Sequence, residues 1–171
     1  MFVPFSELPK TARVWIYQAS RIMDDAEQNL LQDELHRFIA TWTAHQAGLK
    51  GSAEIRYGIF VIISVDEDHQ HASGCSIDKS VHFMKQLGEK FGINFFDRMT
   101  AVCQNPTGEK VFVNALNVNV LLGSGRLSQE AVLFNNLITD KGSLETDWRI
   151  PLAQSWISNI IQSSITTSIK S

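Results

Sequence analysis

Two periods of apolar residues alternate along the chain. Between residues 26 and 42 the apolar positions Leu31, Leu35, Phe38 and Trp42 recur at spacings of three and four, with Leu30 and Ile39 beside them. That period predicts an amphipathic helix. Asp24-Asp25 supplies its start, with negative charge near the positive end of the helix dipole. A second stripe of Ile77, Val81, Met84, Leu87 and Phe91 predicts a helix over about 76–91, ended by Gly92 as a left-handed cap. Residues 13–17, 52–57 and 60–65 carry the β-branched and aromatic runs of strands. Gly58 marks a tight hairpin turn between the last two. The unbroken apolar run 60–65 predicts a central strand covered on both faces. Residues 95–104 and 110–114 predict two more strands around the turn Asn105-Pro106-Thr107-Gly108.

The resulting order is β-α-β-β-α-β-β. Its first six elements match the ferredoxin-like order, so the expected fold class is α+β, with an antiparallel sheet and both helices on one face. The expected division is a ferredoxin-like domain over 1–115 and an extension or small subdomain over 116–171. In the latter, 116–122 predicts a short helix, 123–125 a break and 131–134 a short apolar run. Residues 135–148 are mixed and polar. Pro151 precedes a terminal helix with Trp156, Ile157, Ile160 and Ile161.

Composition narrows the function classes. The net charge of -3 and the lack of any Lys/Arg run interleaved with aromatics argue against a nucleic-acid surface. No apolar stretch approaches the ~20 residues of a membrane helix, and residues 1–9 lack a signal-peptide core. Two cysteines make no disulfide framework. A cytoplasmic protein with reduced thiols is expected, needing no recognised cofactor. A homo-oligomer is left open, because an edge strand must be protected.

The candidate chemistry lies at Ser73-Gly74-Cys75-Ser76-Ile77-Asp78, between the apolar strand and the second helix. A thiol at a helix N-terminus becomes a better nucleophile. Cys75 is therefore the candidate nucleophile, with His45 or His71 as base. Its alternative is a small, inert residue at a strand–helix turn. The same turn could cradle an anion through Ser73, Gly74, Ser76 and Asp78, and Arg98 could orient a ligand carboxylate. Helix capping accounts equally for the two serines and Asp78. A Walker A loop is excluded: Asp78 stands where its second glycine must be, and its first glycine is missing. His69, His71, Cys75, Asp66 and Asp68 could supply metal ligands, but no metal-binding spacing is present, so no metal site is assigned.

Trp42-Thr43-Ala44-His45, Glu54-Ile55-Arg56-Tyr57, Val65-Asp66-Glu67, the 73–78 stretch, Phe95-Phe96-Asp97-Arg98, Phe134-Asn135-Asn136 and Ser155-Trp156 together resemble a small bacterial family. Its members are often labelled "ABC transporter ATPase". The resemblance carries over no catalytic residue. The chain lacks both a Walker A loop and the Leu-Ser-Gly-Gly-Gln signature, so ATPase activity is not expected. Leu116 to Leu121, Gly125-Arg126-Leu127-Ser128, Val132-Leu133-Phe134 and Trp148 are similar to the helix–glycine–strand–tryptophan order of GYF-like modules, which implies peptide binding. Two readings follow: a binding or interaction domain that takes a small molecule, an anion or a protein, and a thiol-dependent hydrolase or transferase built on Cys75.

Overall fold

The computed structural model describes residues 1–44 and 47–161. After a 3-10 turn at Phe5–Glu7, β1 (Arg13–Gln18) leads to α1 (Asp25–Thr41). Asp24 starts that helix with a reciprocal cap: its carboxylate accepts from the Glu27 N–H, and the Glu27 side chain accepts from the Asp24 N–H. Leu31, Leu35 and Ile39 form its buried face. Two-residue strands β2 (Thr43–Ala44) and β3 (Ala47–Gly48) pair with each other.

The hairpin of β4 (Gly51–Arg56) and β5 (Phe60–Val65) forms as the pattern predicts. Its turn puts Tyr57 at φ 58° and Gly58 at φ 62°. Glycine is required at 58 on two counts. The left-handed backbone favours it, and a Cβ there would lie 2.9 Å from Gln28 Nε2 and 3.0 Å from the Met23 carbonyl. Helix α2 (Gly74–Phe91) follows and ends at Gly92, φ 62°.

β1, β5 and β4 form a three-stranded sheet in that order, with β5 antiparallel to both neighbours. β5 is buried along its whole length. Val61, Ile63 and Val65 face the helix side with Tyr17, Leu31, Leu35, Ile39, Trp42, Met84 and Leu87. Phe60, Ile62 and Ser64 face the other side, opposite Gln18, Ile16 and Val14 of β1 and Arg56, Glu54 and Ser52 of β4. Phe5 lies on this second face, its ring 5.0 Å from the Arg56 guanidinium carbon.

Mixed helices and antiparallel sheets make this an α+β chain, but the ferredoxin-like sheet is not completed. Its expected fourth strand, 95–104, is corrected to the shorter β6 (Ala101–Gln104), which belongs to a different sheet. The reason is local. Phe95 and Phe96 are drawn into the helix-side core, and Asn94 Oδ1 accepts from the Phe96 N–H, bending the chain there. The free edge of β1 is met instead by a later segment. Val14 N–H donates to the Thr139 carbonyl at 2.9 Å, and Arg13 bridges Asp140.

β6 pairs with β7 (Lys110–Val113), and β8 (Val132–Phe134) joins β6 to β9 (Arg149–Pro151), giving the order β7-β6-β8-β9. Between them lie α3 (Val118–Gly123) and α4 (Lys141–Thr146). Residues 156–161 are helical. This sheet packs around Cys103, Val113, Val118, Leu127, Leu133, Leu152 and Ile157. Asn105 is buried and clamps it: Nδ2 donates to the Arg126 carbonyl and Oδ1 accepts from the Ser128 N–H.

The chain divides into two compact units. One holds residues 1–97 and 136–145, the other 98–135 and 146–171. β6 and β7, expected with the first sheet, thus share a unit with β8 and β9. Within the first unit, Lys141 is buried. Its ammonium donates to the Leu8 carbonyl at 2.6 Å and the Ser6 carbonyl at 3.3 Å, and lies 5.1 Å from the Phe5 ring.

Candidate functional site

The first two turns of α2 are set by a serine ladder. Ser73 is the N-cap, and its hydroxyl accepts from the Ser76 N–H at 3.2 Å. The Ser76 hydroxyl donates back to the Ser73 carbonyl at 2.8 Å, and the Ser80 hydroxyl to the Ile77 carbonyl at 2.7 Å. Ser76 and Ser80 are both buried. They replace Ile77 and Val81 on the expected buried stripe; those two, and Phe91, are only half-buried. The Trp42 indole N–H donates to the Ser76 carbonyl at 2.9 Å, and the Tyr17 hydroxyl bonds to Ser80. Burial pushes the Tyr17 phenol up from its ordinary value, and the Ser80 bond opposes that in part.

Trp42 thereby ties the end of α1 to the start of α2. An aromatic ladder extends from it. Trp42 lies 6.0 Å from Trp15 and 5.2 Å from Phe38. Phe38 stacks on Phe83 at 4.3 Å with the planes 8° apart. Phe38 and Phe83 are half-buried. An open groove of about 580 Å³ runs between the two helices over these rings. α1, its C-cap Trp42 and β2 contribute Phe38, Thr41, Trp42 and Thr43, and α2 contributes Cys75, Asp78, Lys79, His82, Phe83 and Gln86.

The expected site residues separate. Cys75 is exposed and lines this groove, with Asp78. Ser73 is the cap and Ser76 supplies the N–H it caps; Asp78 lies further on and caps nothing. Gly74 is the first helical residue, with open space around it. His71 is exposed in the preceding loop and is not among the lining residues. No hydrogen bond joins Cys75 to an imidazole among the described residues. His45 lies outside the described residues. Arg98 is exposed, begins the second unit, and does not line the groove.

The possible oxygen ligands of a metal are otherwise engaged. Asp66 pairs with Lys50 at 3.1 Å, and Asp68 accepts from the Thr11 hydroxyl. No three His, Cys, Asp or Glu side chains gather at one point among the described residues. No helix among them is long and apolar enough to cross a membrane. The second thiol, Cys103, sits in the other unit's core, where burial pushes it up to about 12. Trp148 is buried with its ring 4.9 Å from Phe134.

Sequence reasoning placed Phe38 and Trp42 in the core and left Lys79, His82, Phe83 and Gln86 without a role. The signal was present. Positions 75, 78, 79, 82 and 86 share the helix face next to the buried one, with Phe83 at the boundary where a core residue becomes a wall. Comparisons with protein-family models, characterised proteins and solved structures returned no match.

Proposed function

We propose that the first unit is a binding domain whose ligand occupies the groove between the end of α1 and the first four turns of α2. The observation that carries this reading is the combination of a stacked, half-buried aromatic pair with side chains that are polar and uncommitted. Lys79, His82 and Cys75 have no hydrogen-bond or ion-pair partner among the described residues. A wall of apolar rings edged by a few polar groups is a common way for small-molecule sites to be built. The volume falls in the range of ~300–1,000 Å³ usual for such sites. The Ser73–Asp78 turn forms one end of this site, with Cys75 and Asp78 as its contribution. The resemblance to the bacterial family adds no residue role.

A thiol-dependent hydrolase or transferase draws less support. The groove's imidazole, His82, stands seven residues beyond Cys75 on the same helix. At 1.5 Å per residue the two are about 10 Å apart along the axis, where nucleophile and base need ~2.6–3.2 Å.

A fragment screen followed by amide chemical shifts tests the proposal. Binders are expected to perturb Phe38, Trp42, Thr43 and the 75–86 amides as one contiguous set. Phe83→Leu should weaken them while leaving the fold intact. Fragments that cluster elsewhere, or none that bind, would overturn it.

A further inference from the structure

We propose that the side-chain amide of Asn117 guards the outer edge of β7, and that without it this edge pairs with the same edge of a second copy of the chain. The proposal is independent of the groove. The second unit's sheet has two edge strands, β7 and β9. An open edge is a template for another chain. β9 is three residues long and ends in Pro151, which has no N–H to offer. β7 carries no proline. The Asn105 N–H donates to the Glu109 carbonyl at 2.9 Å, and the register continues with Cys103 opposite Val111 and Ala101 opposite Val113. The alternation of an antiparallel ladder then turns the peptide groups of Phe112 and Asn114 outward, away from β6.

Asn117 meets them there. Its Nδ2 donates to the Phe112 carbonyl at 3.2 Å, and its Oδ1 accepts from the Asn114 N–H at 2.8 Å. One donor and one acceptor arrive from outside the strand at positions two apart, as a residue of an adjoining strand would bring them. Helix capping does not account for the side chain. Asn117 is the N-cap of α3, yet it makes no side-chain cap bond. The turn from β7 into α3 has bonds of its own: Asn114 Oδ1 accepts from the Leu116 N–H at 2.9 Å and the Asn117 N–H at 3.1 Å. Once the amide is removed, a twofold axis beside β7 sets the bare edge antiparallel to itself, donors opposite acceptors.

The full chain is compared with Asn117→Ala, Asn117→Ser and Asn114→Ala by sedimentation velocity at rising concentration and by amide hydrogen exchange. In the parent chain the Asn114 amide should be protected equally at every concentration. Exchange there at the rate of an open amide would overturn the guard before any variant is made. Asn117→Ala and Asn117→Ser both remove the reach to β7, and serine still offers α3 an ordinary cap. Each should double in weight-average mass relative to the parent as concentration rises. The Asn114 amide of each should exchange freely in dilute solution and regain protection in the dimer. Asn114→Ala leaves the guarding amide in place and should keep the parent's mass. A folded Asn117→Ser variant with the parent's mass at every concentration would overturn the proposal. So would association that leaves the Asn114 amide unprotected, or equal association of Asn114→Ala, because the contact would then lie away from the edge or follow from a loosened turn.

Discussion

Removing the hydroxyl of Ser64 should make the protein more stable. Ser64 sits in β5, the middle strand of the first sheet, and is fully buried between Val14 and Ser52. Its Oγ is the one buried side-chain polar atom among the described residues without a hydrogen-bond partner. An unsatisfied buried hydroxyl costs about 1–3 kcal/mol in lost hydration. Ser64→Ala recovers that cost and leaves a small void. At ~24 cal/mol per Å³, a void of ~20 Å³ takes back about 0.5 kcal/mol. The net expectation is a gain of roughly 0.5–2.5 kcal/mol. With a urea slope of ~2 kcal/mol per M, the midpoint should rise by about 0.25–1.2 M. Urea unfolding followed by circular dichroism reads it directly. Ser80→Ala is the matched control. Ser80 is also buried, but its hydroxyl donates to the Ile77 carbonyl and meets the Tyr17 hydroxyl. That variant should lose about 1 kcal/mol. A fall in midpoint for Ser64→Ala would show that the hydroxyl is satisfied, and the reasoning from its isolation would fail.

Three further outcomes are expected. Trp42→Phe keeps most of the ring packing but loses the bond from the indole N–H to the Ser76 carbonyl. It should cost about 1 kcal/mol and increase amide exchange in the first turns of α2; unchanged exchange there would remove Trp42 as the tie between the helices. A colorimetric thiol reagent should titrate one sulfhydryl, Cys75, in the native protein and release Cys103 only on unfolding; two fast thiols would contradict the burial of Cys103. The Arg21 guanidinium on both Glu27 oxygens, together with the Asp24 N–H, holds the Glu27 carboxyl down at about 2. A depressed folded value contributes stability above the ordinary carboxylate range of ~4.3, and that stability is lost as pH falls toward about 2. Glu27→Gln should flatten this part of an acid titration of the melting temperature, and an unchanged acid limb would refute the assignment.

The long-period elements were legible because their signals are local. Asp24, the Leu31–Leu35–Ile39 spacing and Gly92 each act within one or two turns, and α1, α2 and the β4–β5 hairpin form where those residues place them. The α2 stripe was read one position off because apolar side chains were counted and hydroxyls were not. Ser76 and Ser80 go inside because their own helix carbonyls accept from them. The sheet partner of β1 was illegible for a different reason. Thr139 and Asp140 lie more than a hundred residues from Val14 and Arg13, in a polar stretch with no strand-like period, and their contact is two backbone interactions. At the candidate site, Cys75 was found by its position at a helix start. The opposite wall was not, because Phe38 and Phe83 carry the same apolar mark as core residues, and only the packing shows that neither is fully buried.

The chain crosses between its two units three times, after 97, after 135 and after 145. Because a ribosome delivers residues in order, β6, β7 and β8 leave it before the ten residues that seal the flank of β1 and satisfy the carbonyls of Ser6 and Leu8. For that interval the nascent N-terminal half carries an unfinished rim, and its last closure waits on a segment made after most of its neighbour. A chain ended anywhere from 98 to 135 would never receive that segment.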